Sequence, residues 1–118
     1  MLKKFFITAI FGLTLVLASA QAEAEDVYVG KSDATGFVCY IMTETIECHW
    51  ERNSMVSTAT LKMTDDYGQD YYLDYTFHDF HAQGIDVRFK NSQNYSGEAD
   101  PRLTPIEWAM FEVIRDRY

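Results

Sequence analysis

Positive charge is scarce in this chain. Its 118 residues carry 10 Lys and Arg against 18 Asp and Glu, a formal net charge of −8 with neutral histidine. Nucleic acid and anionic lipid both demand a basic face, so neither is expected as a partner. The usual catalytic signatures are missing as well. There is no G-x-S-x-G elbow and no serine placed beside a plausible histidine base, which argues against nucleophilic catalysis. Internal repeats and low-complexity segments are absent. Cysteine is limited to Cys39 and Cys48, a spacing unlike the C-x-x-C redox pair.

What is present begins with a leader. Lys3 and Lys4 precede an apolar stretch over 5–17 and a run of small residues, the pattern of a secretory signal peptide. Both Ala18-Ser19-Ala20 and Ala20-Gln21-Ala22 fit an A-x-A cleavage site, and the second assigns residues 1–22 to the leader. The apolar run is short for a membrane anchor and is followed by acidic residues. The expected product is periplasmic or secreted and is not inserted in the membrane after cleavage. Loss of the two lysines makes it more acidic still, which suits a cationic partner and also simple solubility.

The remainder reads as a polar arm or short strand over 23–35 and a single globular domain over 36–118. Alternating, aromatic-rich segments predict strands at 37–42, 45–52, 56–63, 70–80 and 85–90. Asp65-Asp66-Tyr67-Gly68 and Gln83-Gly84 mark turns, and 91–100 reads as a loop. Thr104-Pro105-Ile106-Glu107 has the form of a capping box with proline at the first helical position, so a helix is expected to about Asp116. Its apolar side gathers Ile106, Ala109, Met110, Val113 and Ile114. The fold class is α+β: a small antiparallel sheet of about five strands, a meander or half-barrel, with the helix on one face.

The segment FVCYIMTETIECHW, residues 37–50, folds on paper into a hairpin about Thr43-Glu44. That register places Cys39 opposite Cys48, Ile41 opposite Ile46 and Phe37 opposite Trp50, and predicts a cross-strand disulfide. Cystine is the default for a cysteine pair in an exported protein. Closing so short a loop is worth about 2.5–3 kcal/mol on the chain-entropy account.

No cofactor and no metal is expected, and the chain is not expected to be an enzyme. His49, His78 and His81 are the candidate transition-metal ligands, but residues three apart on a strand point to opposite faces. Asp65, Asp66 and Asp70 do not match the calcium-loop spacing of an EF-hand. Eighteen acidic residues always offer carboxylate pairs, so a glycosidase-like pair carries little information. The excess of aromatics is the remaining signal. If one face of 70–80 meets the helix, Tyr72, Asp74, His78 and Phe80 lie on the other with Tyr40, Glu47 and His49. With Trp108, which falls on the polar side of the helix, they form the expected partner-binding set. The expected function is an inhibitor or immunity-type protein binding a cationic protein outside the cytoplasm. The alternatives are a carbohydrate- or small-ligand-binding module built on Tyr40, Tyr72 and Trp50 or Trp108, and a metal-binding protein or metal-dependent enzyme.

Overall fold

The computed structural model describes residues 25–80 and 87–117. The leader assigned to residues 1–22, and His81, lie outside the described residues. Six strands follow one another across one antiparallel sheet: β1 (Asp26–Lys31), β2 (Val38–Trp50), β3 (Met55–Thr64), β4 (Asp70–Asp79), β5 (Val87–Asn91) and β6 (Ser96–Glu98). Helix α1 (Pro105–Arg115) follows β6. The sheet curls as a half-barrel with α1 packed on one face, an α+β fold as the sequence predicts.

The helix covers β1 and β2. Met110, Phe111 and Ile114 are buried against Cys39, Ile41, Leu61, Phe77 and Phe89. Met110 and Ile114 of the expected side are buried together with Glu107 and Phe111, while Ile106, Ala109 and Val113 are partly buried against the same core. Gly30 sits at an irregularity in β1 with φ +138, and a Cβ there would meet Ile106 Cγ1 at 3.2 Å. Absence of a side chain at this point lets the first turn of the helix close on the strand.

The hairpin expected within 37–50 does not form. β2 runs unbroken from Val38 to Trp50, and its pairing jumps from Met42–Thr60 to Glu47–Thr58. Residues 43–46 bulge against Ala59 alone. Thr43-Glu44 contains neither Gly nor Asn to supply the positive φ of a tight hairpin turn. Thr43 instead gives both its amide and its hydroxyl to the carbonyl of Glu25. The Thr45 hydroxyl closes the bulge, donating to Met42 O at 2.6 Å and accepting from Thr60 N–H at 2.8 Å.

The disulfide goes with the hairpin. Cys39 pairs with Met63 and Cys48 with Ser57. Six strand residues separate those partners, which sets the two Cα atoms about 20 Å apart, far beyond the roughly 7 Å a cystine spans. Both thiols are free. Cys39 is fully buried, and burial pushes its thiol pKa up.

Two smaller expectations also change. The predicted loop 91–100 contains β6, reached by a tight turn in which Asn91 Oδ1 accepts the amides of Gln93 and Tyr95. Helix α1 begins at Pro105 as expected, but no capping box forms. The Thr104 hydroxyl turns away, donating to Glu98 O at 3.0 Å and accepting the Asp100 amide at 2.7 Å. Glu107 points into the core, where Tyr75 donates its hydroxyl to the carboxylate at 2.6 Å.

Candidate partner-binding surface

Residues paired across strands share a face of the sheet. On the face away from α1 the register aligns Tyr28, Tyr40, Lys62 and Tyr72 in one row and Asp26, Met42, Thr60 and Asp74 in the next. Val38, Thr64 and Asp70 continue toward the β3–β4 turn. In the other direction lie Glu47, Thr58, Thr76 and Lys90, then His49, Val56, His78 and Arg88. Tyr40, Glu47, His49, Tyr72, Asp74 and His78 therefore do stand on one face, the one opposite the helix. Phe80 lies just past the end of β4, stacked on His78 with ring centroids 6.0 Å apart.

The tyrosine row is the most accessible aromatic feature of this face. Tyr28 is 60 % exposed and Tyr72 55 %. Tyr28 meets Tyr40 edge to face, with centroids 6.0 Å apart. Lys62 lies between Tyr40 and Tyr72, its ammonium 5.4 Å from the Tyr40 ring centre and bonded to Asp26. The Asp26 carboxylate raises the Lys62 pKa, so this cation stays charged. Asp70 and Asp74 are oriented by neighbouring hydroxyls: Thr64 donates to Asp70 at 2.7 Å and Thr60 to Asp74 at 2.9 Å.

The row runs into the β3–β4 turn. Asp65 Oδ1 accepts the amides of Tyr67 and Gln69, each at 2.9 Å, and Tyr71 donates its hydroxyl to Oδ2 at 3.2 Å. Gly68 supplies the positive φ of +84. The backbone donors hold the Asp65 carboxyl below its ordinary pKa. Its oxygens are thus engaged in building the turn. At the tip Tyr67 projects 95 % exposed. At this end of the sheet the tyrosines 28, 40, 67, 71 and 72 stand among the aspartates 26, 65, 66, 70 and 74.

The other candidates are dispersed. Trp108 is on the helix, half-buried against the core, with its ring 5.8 Å from Phe111 and under the Arg115 guanidinium. It belongs to the opposite face and does not join the Tyr40 set. Trp50 is 67 % exposed but pairs with Met55 on the helix side of the sheet, so the aromatic set imagined for a sugar is split. His49 and His78 flank Val56 in one row, which places their Cα atoms about 10 Å apart across three strands. His49 is instead bonded to Glu51 at 3.0 Å.

Sequence reasoning missed Tyr28 and Tyr67. Tyr28 lay in the polar arm, whose Val27-Tyr28-Val29 alternation was the available strand signal. Tyr67 lay in a correctly placed turn, where a large aromatic between Asp66 and Gly68 is itself unusual. Two shallow depressions of about 310 and 350 Å3 flank Asp74 and Thr76, lined chiefly by Thr45, Thr58, Thr60, Lys90 and Ser92. Both are open to solvent. No protein-family model, no curated protein and no solved structure matches this chain.

Proposed function

We propose that this protein is exported and works by binding, capturing a cationic protein partner on the tyrosine–aspartate surface at the β3–β4 end of its sheet. The observation that carries this reading is Lys62. Its ammonium sits over the Tyr40 ring and against Asp26, so the surface already holds one cation by the combination a partner's Lys or Arg would use. Tyr28 and Tyr72 extend the same row with their rings exposed, and Asp70 and Asp74 lie beside them on threonine tethers.

Rigid aromatic side chains lose little entropy when they anchor a partner, which favours tyrosine as the contact residue. The net charge of −8 adds a steering field for a basic protein. An inhibitor or immunity role accords with the same features: a small domain and a projecting turn ordered by Asp65. The test is affinity capture from the native envelope fraction with elution along a salt gradient. Basic proteins released as salt rises support the reading. Recovery of only acidic or salt-insensitive proteins contradicts it.

A further inference from the structure

We propose that the outer edge of β2 over residues 46–50 pairs antiparallel with the same edge of a second copy of this chain, about a two-fold axis at Cys48. This surface is separate from the tyrosine row and does not depend on it.

Among the described residues this edge has no strand beside it. β1 pairs with β2 only between Val38 and Met42, and the Glu25 carbonyl reaches Thr43. Among the described residues nothing pairs with the outer side of β2 beyond that point. Burial changes accordingly along one strand. Cys39 and Ile41 are fully buried, whereas Ile46 and Cys48 are half-buried and Trp50 is 67 % exposed. These three lie on the helix side of the sheet and extend its apolar layer past the cover that the helix provides.

Backbone direction can be read from β3. The Thr60 amide faces β2, where it meets Thr45, so alternate amides of β3 at 58 and 56 face β2 as well. Ser57 and Cys48 are then a non-hydrogen-bonded pair, in keeping with the Ser57 hydroxyl lying 3.4 Å from the Cys48 sulfur. The N–H and C=O of Ile46, Cys48 and Trp50 therefore point to the open edge, three donors and three acceptors awaiting a strand. The segment has no proline or lysine to discourage pairing.

The sequence of this edge is complementary to itself in the register that overlaps it fully. With the axis at Cys48, Ile46 stands opposite Trp50 of the second copy and Glu47 opposite His49. Cys48 faces its own counterpart. The neighbouring registers that keep the apolar side chains on one face are worse. An axis at Glu47 sets that carboxylate against itself, and an axis at His49 opposes Glu47 to Glu51. Like charges directly opposite one another are destabilising, so the Cys48 axis is selected. Isologous pairing of one patch with itself is the usual route to a closed dimer.

Sedimentation equilibrium of the exported protein, purified after leader cleavage, tests this. The expected result is a dimer at concentrations of about 10–100 µM. Trp50→Lys should weaken it about tenfold or more, as loss of a buried aromatic anchor does. His49→Glu should weaken it about threefold by opposing that side chain to Glu47 of the second copy, and adding Glu47→Lys should restore it. Oxidised glutathione should then join two chains through Cys48, the two thiols passing their hydrogens to one glutathione disulfide to give two reduced glutathiones. Cys48→Ser should abolish the joined species and Cys39→Ser should not. A single-chain mass throughout overturns the proposal. So does a dimer that His49→Glu alone leaves unchanged. Tyr28→Ala with Tyr72→Ala should leave the dimer intact, which separates this result from the partner-binding reading.

Discussion

The Tyr75 hydroxyl donates to Glu107 at 2.6 Å inside the core, joining β4 to α1. Glu107 is only 8 % exposed, so its carboxylate depends on that bond for satisfaction. Tyr75→Phe should destabilise the fold by about 1–3 kcal/mol, the cost of an orphaned buried acceptor, measured as a shift of the urea midpoint. Burial, and then the bond to Glu107, push the Tyr75 pKa well above that of an ordinary phenol. A group with a raised folded pKa contributes its stability fully below the unfolded value, near pH 10, and loses it as pH climbs beyond. Alkaline destabilisation from about pH 10 should therefore be shallower in Tyr75→Phe. An unchanged slope would show that Tyr75 does not carry it.

Gly30 has φ +138 and lies against Ile106. Gly30→Ala combines backbone strain with overpacking and should cost about 1–3 kcal/mol. Shortening the neighbour with Ile106→Val in the same chain should recover part of that loss. Full recovery would assign the whole effect to the contact and none to the backbone.

The thiols should differ in reactivity. Cys39 is fully buried with its pKa raised, while Cys48 is half-buried on an open strand edge. Brief alkylation of the monomer in native buffer should label Cys48 alone, and urea should be needed for Cys39. An intact mass two hydrogens lighter than the reduced chain, without dimerisation, would contradict the register of β2.

Asp65 organises the turn that carries Tyr67. Its carboxyl pKa is lowered chiefly by the Gln69 amide, so the ordered turn is favoured above the ordinary carboxylate value of about 3.9 and lost as pH falls through the depressed one. In an NMR titration the Gln69 amide should shift with a midpoint below that value. Asp65→Ala should abolish the transition and weaken partner binding, since Tyr67 is no longer presented in one geometry.

Much of this was legible in advance. Alternation of apolar and polar residues marked β3 and β4 closely, and Thr104-Pro105 fixed the start of the helix. The two faces of 37–50 were also assigned correctly, for a reason that is not the expected one. A two-residue hairpin exchanges even and odd positions between faces, and the bulge at 43–46 makes the same exchange, so Tyr40, Glu47 and His49 share the open face either way. Periodicity reports the face and is blind to whether the chain reverses. What it missed depends on long-range bonds. Thr43 reaches Glu25, Thr45 spans the bulge to Thr60, and Glu107 leaves its cap for Tyr75. None of these partners is near in sequence. Trp108 falls on the polar side of the helix by periodicity and is half-buried beside Phe111, because the buried side of α1 also takes in Glu107 and Phe111.

The central claim is that exposed tyrosines set among aspartates hold a cationic protein. Calorimetric titration of the captured partner into the native protein and into Tyr28→Ala with Tyr72→Ala tests it most directly. Loss of two aromatic anchors should weaken binding about tenfold or more, with the thermal midpoint nearly unchanged because both side chains are exposed. Equal dissociation constants for the two proteins would contradict the account.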